Sequence, residues 1–423
     1  MASKINVLVF PCGSENASEI YDALRYSLHV NLFGASSVED YGRLNFDNYI
    51  SDVPFIDDDK FEGVFKKIVD DYNIDVVFAT HDSVAVKLSK IRDKNYYLVN
   101  GNERTCEILR SKNETYRLFS HFSWCPDVYD LNSPEAIVFP LIAKPDQGQG
   151  GNGVTLIRNQ NDLLQISQDP GIVLVEYLPG EEATIDCFTD RQGTLIYSKP
   201  RTRARIRAGI AMQSEVFDDE ILDLIANKIN EKITFRGPWF FQMKKNNDGF
   251  WKLLEISCRV AGTMVAQRAH GINLPLLAIQ DYKGRNISCI ENPFLNKVER
   301  RIVTKGILEY EFDNIYVDLD DTLILSQGVC ADVISLIYQA KNDAKNIILI
   351  TRHEQDVTDT LRKYHIAQNL FDEIIHLKSN ESKADYIKDK SIFIDNFFNE
   401  RQDVFNRLSI PCFDTDSVSF LLR

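Results

Sequence analysis

Several groups of residues in this chain have the types and spacing to do chemistry. The first is a lysine at a strand end, Lys144, followed by Pro145-Asp146-Gln147, glycines at 148, 150, 151 and 153, and a return to apolar residues from Val154. Glycine lets backbone N–H groups turn toward a phosphate without a Cβ clash, and the lysine adds a point charge. No Gly-Lys-Ser/Thr opens a following helix, and Val154 to Ile157 reads as a second strand. The spacing therefore predicts a glycine-rich hairpin over phosphates rather than a Walker loop, with a plain flexible hairpin as the alternative for the loop taken alone.

Arg201, Arg203, Arg205 and Arg207 recur at period two, so in an extended segment all would point one way and ask for an anion. An edge strand guarded by charge would look the same. Gln242, Glu255 and Arg259 fall at the ends of two adjacent strands, an oxygen-rich pair that suits Mg²⁺ shared with phosphates. Glu176-Tyr177-Leu178-Pro179-Gly180 ends another strand in a hinge-like turn before Glu181 and Glu182. Such a backbone can pair with an adenine edge while a carboxylate takes ribose hydroxyls. His81-Asp82-Ser83, directly after a strand, borders an acceptor pocket or is a satisfied loop histidine. Finally, Asp318 and Asp320 stand two apart just past an apolar strand, which suits a nucleophilic aspartate paired with an acid/base aspartate beside Mg²⁺.

The elements that must position these residues change along the chain. Strand runs at 5–10, 30–34 and 75–80, with helical periodicity at 15–28 and 61–72, predict a small parallel α/β sheet over 1–109. From about 110 the pattern turns to short strands (141–144, 171–176, 184–188, 239–242, 251–256) and polar helices, an α+β region of antiparallel sheets to 305. A polar, basic connector over 292–305 then leads to a fresh strand at 314–318 and a parallel α/β arrangement over 306–423, with strands at 346–351, 374–377 and 391–395.

Composition sets the class. With 423 residues, 44% hydrophobic and 26% charged, the chain is long enough for two or three globular domains. A net charge of −14 argues against nucleic-acid binding, so an anionic ligand must be held by local cations. No apolar run approaches the roughly 20 residues of a membrane span, and no signal-peptide core follows the N-terminus, so the expectation is a cytoplasmic protein without a membrane partner. Eight scattered cysteines without Cys-x-x-Cys, and seven histidines without helical ligand spacing, predict neither a disulfide framework nor a zinc site.

The ordered set Lys112, Lys144 with its glycine loop, Glu176 to Glu182, Gln242 and Glu255-Ile256-Ser257-Cys258-Arg259 resembles the ATP-grasp superfamily, particularly the branch related to the carbamoyl phosphate synthetase large subunit. The resemblance covers about 1–300 and includes a leading α/β domain. It implies ATP-dependent ligation of a small-molecule carboxylate to an amine through an acyl phosphate, with ATP and Mg²⁺ (or Mn²⁺) as cofactors. By that resemblance Lys112 and Lys144 contact ATP phosphates, Gly148, Gly150, Gly151 and Gly153 cover them, Glu176, Tyr177 and Leu178 line the adenine, and Glu182 takes the ribose. Gln242 and Glu255 hold the metal, while Arg259 and one or more of Arg203, Arg205 and Arg207 stabilise the transferring phosphoryl group. Ser257 stands where many relatives have asparagine, and reaches a second metal only through water.

The series Asp318, Asp320, Thr351, Lys383, Asp395 resembles the haloacid dehalogenase superfamily over about 310–423. It implies a Rossmann-like, Mg²⁺-dependent phosphatase acting on a phosphorylated metabolite, with Asp318 as nucleophile, Asp320 as acid/base, Thr351 and Lys383 on the phosphate, and Asp395, with Asp318 and Asp320, at the metal. Lys378 rivals Lys383, and Glu400 is placed to complete the metal site where Asn396 replaces an acidic residue. Short connections leave no room for a cap domain. The expectation is thus a bifunctional ligase and phosphatase; a kinase without amine acceptor, or a nucleotide-binding scaffold, are the competing readings. Relatives are commonly dimers, although no heptad or apolar stripe marks an interface.

Overall fold

The apolar run at the N-terminus is buried as β1 (Ile5–Phe10) in the computed structural model, which describes residues 4–92, 94–131, 133, 136–148, 151–166, 171–207 and 210–423. It lies at the centre of a parallel sheet with β2 (Val30–Ala35), β3 (Asn48–Ile50), β4 (Val76–Ala79) and β5 (Tyr97–Leu98), in the order β3-β2-β1-β4-β5. A strand covered on both faces is apolar throughout, which is why these runs read clearly from the residues. Ser14 starts the helix Glu15–Leu24 by accepting a hydrogen bond from the Ala17 N–H. The helix stops four residues short of the expected 28, and the exposed Tyr26 and Leu28 lie beyond it.

Two antiparallel sheets follow. One has the order β6-β9-β7-β8, built from β6 (Val128–Tyr129), β7 (Leu141–Pro145), β8 (Thr155–Ile157) and β9 (Ile172–Glu176). β7 and β8 form the expected hairpin, with Ala143 facing Thr155 and Lys144 at the end of β7. The other runs β11-β10-β14-β15, from β10 (Glu182–Thr189), β11 (Leu195–Thr202), β14 (Gly237–Lys245) and β15 (Trp251–Ser257). One face carries Ile185, Cys187, Trp239 and Phe241 into the main core, where Trp239 stacks on Phe235 at 4.1 Å. The opposite face carries the residues of the cavity described below.

β12 (Ala204–Arg207), β13 (Ile210–Glu215) and β16 (Lys297–Glu299) make a small separate sheet. Part of the expected polar connector is therefore a paired strand. The chain divides into two compact units, Met1–Arg301 and Ile302–Arg423, and the expected break at 109/110 falls inside the first.

The second unit has a parallel sheet of β17 (Asn314–Val317), β20 (Asn346–Thr351), β21 (Glu373–His376), β22 (Ser391–Ile394) and β23 (Cys412–Phe413), ordered β21-β20-β17-β22-β23. Between β17 and the helix Ala331–Asn342 stands only a hairpin of β18 (Ile324–Leu325) and β19 (Gly328–Val329). Among the described residues no helix is long and apolar enough to cross a membrane.

Candidate active site

A cavity of about 750 Å³ opens in the first unit, walled by the β7–β8 hairpin, the turn after β9, and the open face of β11, β14 and β15. Its charged lining comprises Lys112, Lys144, Arg201, Arg203, Lys244 and Arg259 against Glu15, Glu176, Glu182 and Glu255. Cations thus exceed carboxylates here in a chain of net charge −14. That local reversal favours an anionic ligand.

Lys144 is buried, and its Nζ donates to the Tyr116 hydroxyl at 2.6 Å and to the Leu254 carbonyl at 3.4 Å. Burial, reinforced by the nearby Lys112 charge, pulls its ammonium down to about 8. Tyr116, whose hydroxyl also donates to the Leu254 carbonyl at 2.6 Å, fixes this lysine from a helix that sequence reasoning did not connect to it. Lys112 opens that helix behind the Ser111 cap and donates to the Asp146 carbonyl at 3.2 Å, and burial lowers its pKa too. In the hairpin, Gly153 has φ +75°, and a Cβ there would come within 2.8 Å of the Pro145 ring. Gly148 and Gly151 line the cavity; Gly150 lies outside the described residues.

Gln242 and Glu255 face one another in register on β14 and β15, and both line the cavity. Ser257, expected as an indirect metal contact, instead donates to Asp82 Oδ1 at 2.6 Å. Asp82 also pairs with Arg259 Nε at 3.2 Å, and the Arg259 guanidinium sits 5.3 Å from the Phe240 ring centroid. Burial alone would raise the Asp82 carboxyl; the Arg259 charge and the Ser257 hydrogen bond hold it below the usual carboxylate value. Asp82 therefore orients Arg259, a role its sequence position after β4 did not announce. The neighbouring His81 lines the cavity, and burial lowers its pKa.

Several of the other expected residues are engaged with one another or with neighbours. Glu182 and Arg203, assigned separate tasks, pair with each other at 2.6 Å. Glu176 lines the cavity with Tyr177 and Leu178, but its carboxylate accepts from the Asp127 N–H at 3.0 Å and pairs with Lys252 at 3.3 Å. The four period-two arginines do not share a face. Arg201 is buried in β11, whereas Arg205 adopts φ +48° after the chain has left for the β12 sheet. That left-handed residue breaks the alternation, and Arg205 and Arg207 are exposed residues outside the cavity lining.

The second unit gathers its own cluster at the ends of β17, β20 and β22. Lys383 is buried and donates from Nζ to Asp318 Oδ1 at 2.5 Å and to Asp395 Oδ2 at 2.6 Å. It stands in a single short turn, Lys383–Asp385, not at a longer helix start. Burial, together with the Asp395 charge, raises the Asp318 carboxyl to about 6 even against the Lys383 ammonium. Thr351 is buried at the end of β20 and accepts from the His353 N–H at 3.2 Å. Asp320 lies against His353 Nδ1 at 2.9 Å, while His353 Nε2 meets Thr360 Oγ1 at 2.7 Å. His353 is a second partner the sequence did not announce. Glu400 pairs with Arg352 at 2.6 Å, and the backbone N–H of Lys378 donates to Glu381 at 2.7 Å. Among the described residues no group of three or more His, Cys, Asp or Glu side chains is arranged around a common metal position.

Residues 168–302 match the model of a family described as "ATP-grasp in the biosynthetic pathway with Ter operon". No curated protein matches the sequence. Similar solved structures include the biotin carboxylase domain of the 2-oxoglutarate carboxylase of Hydrogenobacter thermophilus, in complex with MgADP, ADP and bicarbonate. It is 14% identical over 68% of this chain and 71% of that chain, with a TM-score of 0.55. N5-carboxyaminoimidazole synthetase from Staphylococcus aureus, complexed with ADP, is 16% identical over 69% and 80%, with a TM-score of 0.57. The L-amino acid ligase from Bacillus licheniformis is 17% identical over 67% and 75%, with a TM-score of 0.52. At such identities the likeness is one of architecture, and with the family match it establishes an ATP-grasp fold in this chain.

Proposed function

We propose that the chain is an ATP-dependent ligase that activates a small-molecule carboxylate as an acyl phosphate and passes it to an amine. The observation that carries this reading is the cation-rich cavity of an otherwise acidic chain, with the glycine hairpin on one wall and Gln242 and Glu255 side by side on another. Lys112 and Lys144 hold the nucleotide phosphates, Gly148, Gly151 and Gly153 cover them, and Glu176, Tyr177 and Leu178 line the adenine. Gln242 and Glu255 fit Mg²⁺ as neighbouring hard oxygen donors that leave room for phosphate oxygens. When bound, Mg²⁺ supplies charge neutralisation at those oxygens.

Arg259, steadied by Asp82, stabilises the negative charge that spreads over the phosphoryl group as it transfers to the carboxylate. Arg203, from the opposite strand end, adds a second guanidinium. The nucleotide complexes of the Hydrogenobacter and Staphylococcus structures, and the ligase activity named for the Bacillus one, support the reading. The test is ADP and phosphate release from Mg-ATP by wild type and Glu255→Ala over a matrix of acids and amines. A signal that needs both substrates and falls about 10²–10³-fold in the variant supports the ligase. ADP formed with an acid alone favours the kinase, and tight ATP binding without turnover favours the scaffold.

A second activity is favoured by the buried Asp318–Lys383–Asp395 cluster. In this reading residues 302–423 form a capless phosphatase of the haloacid dehalogenase type. Asp318 attacks the phosphorus of a phosphorylated metabolite as the ester P–O bond breaks and Asp320 protonates the leaving oxygen; water, giving its proton to Asp320, then hydrolyses the aspartyl phosphate, with Thr351 and Lys383 on the phosphate oxygens and Asp318 and Asp395 as the residues that would hold Mg²⁺. Phosphate-monoester hydrolysis by wild type but not Asp318→Asn is the expected result; equal rates sink the proposal.

A further inference from the structure

In the loop after β17, the side chain of Asp320 meets His353 alone among the described residues. His353 Nδ1 lies 2.9 Å from Oδ1 and 3.0 Å from Oδ2, astride the carboxylate. The two partners differ in exposure: the aspartate side chain is 53% exposed and the histidine 12%. Three further contacts fix the histidine. Its Nε2 lies 2.7 Å from Oγ1 of the buried Thr360. Its backbone N–H donates to Thr351 Oγ1 at 3.2 Å, and His376 Nε2 donates to its carbonyl at 2.7 Å.

A surface pair of mobile side chains adds little to stability and orients nothing. Here one member is anchored on its other sides, so the carboxylate follows the ring. An ionised carboxylate only accepts hydrogen bonds, which puts a proton on Nδ1. In the neutral ring Nε2 is then the acceptor, and the Thr360 hydroxyl donates to it. Thr360, His353 and Asp320 thus form a chain that leads from the buried side of the helix Val357–Lys363 to the mouth of the Asp318–Lys383–Asp395 cluster.

Resting on the phosphatase reading of residues 302–423, we infer that His353 is the positioning residue for Asp320 and that proton transfer to the leaving group depends on it. One Asp320 oxygen stays on Nδ1 while the other faces the ester. As the Asp318 oxygen bonds to phosphorus and the ester P–O bond breaks, the Asp320 proton passes to the leaving oxygen and Asp320 becomes a carboxylate. The His353 N–H then donates to a charged acceptor in place of a neutral one, so its bond strengthens as the transfer proceeds. Water that attacks the aspartyl phosphate returns a proton to the same carboxylate, which the same N–H holds in place.

The experiment measures kcat/KM for phenyl phosphate and 4-nitrophenyl phosphate, esters of similar shape, in wild type, His353→Gln, His353→Asn and Asp318→Asn. It also reads the His353 ring tautomer by ¹⁵N NMR at about pH 8, with Asp320→Asn as control. 4-Nitrophenolate leaves without a proton, whereas phenolate, the stronger base, leaves far more readily with one. In His353→Gln, whose longer amide falls where Nε2 was, the phenyl ester should lose about 10²-fold and the nitrophenyl ester less than about threefold. His353→Asn, whose amide N–H stands where Nδ1 was, should keep the phenyl ester within about tenfold of wild type. Equal losses on both esters, as a merely structural role gives, or no loss on either, overturn the inference. A neutral ring protonated on Nε2 overturns it too. If wild type hydrolyses neither ester faster than Asp318→Asn, the phosphatase reading fails separately, and the tautomer still decides whether His353 holds Asp320. Should His353→Gln not fold, the tautomer in wild type against Asp320→Asn decides.

Discussion

Lys144→Met should make the protein more stable while abolishing nucleotide binding. The lysine ammonium is pulled from 10.5 to about 8, first by burial and then by Lys112. At ~1.4 kcal/mol per pKa unit this is a penalty of about 3 kcal/mol on the folded state. The sign follows from proton binding. Below pH 8 the lysine is protonated whether folded or unfolded, and the whole penalty is present. Between 8 and 10.5 the unfolded chain binds more protons, so wild-type stability gains as pH rises through that window. Methionine retains the packing of the stem, and Tyr116 keeps its bond to the Leu254 carbonyl. Urea denaturation at pH 7 should therefore show the variant more stable by up to about 3 kcal/mol, with the gap narrowing as pH approaches 10. Calorimetry of wild type at pH 8 in buffers of different ionisation enthalpy should show uptake of about half a proton per ADP, as phosphate restores the ammonium. A variant less stable than wild type at pH 7, with no narrowing at high pH, refutes the reasoning.

Asp82→Asn should leave Arg259 without its charge partner, lowering stability of the first unit by about 3 kcal/mol and ligase kcat more than the KM for ATP, as read by denaturation and steady-state kinetics. In the second unit, the Asp318 carboxyl, raised to about 6, must be ionised to attack phosphorus, so kcat/KM for phosphate esters should fall as pH drops below about 6. Because its folded pKa is raised, the same group binds more protons folded than unfolded between 3.8 and about 6, and its contribution to stability grows as pH falls through that window. Asp318→Asn should lose that pH dependence in denaturation curves.

Much of this architecture is legible from residues alone because its strands are of recognisable kinds. β1, β4 and β17 are apolar runs from parallel sheets, and Lys144 with its glycines announces a turn that only glycine tolerates at Gly153. Gln242 and Glu255 are legible as oxygens on neighbouring strands, but they lie inside β14 and β15 rather than at their ends, and a register shift between Gln242 and Met243 interrupts the pairing beside them. What escaped is pairing across long sequence distances. Asp82 meets Ser257 from 175 positions away, Tyr116 reaches Lys144 from a separate helix, and His353 meets Asp320 across the ends of two strands. The arginine repeat misled for the opposite reason: period two has meaning only while the backbone stays extended. The turn at Arg205 sends two of those guanidiniums away from the cavity and leaves Arg201 buried on Asp186. The Glu182–Arg203 pair likewise joins residues whose separate roles each looked complete.

The central claim is that a carboxylate oxygen attacks the terminal phosphate of ATP in the cavity beside Lys144, Glu255 and Arg259. Once an active acid and amine are identified, the acid labelled with ¹⁸O in its carboxylate should be turned over and the released phosphate analysed by mass spectrometry. The acyl-phosphate account predicts one ¹⁸O transferred from acid to inorganic phosphate per product formed. Phosphate released without label, alongside normal product formation, would contradict it.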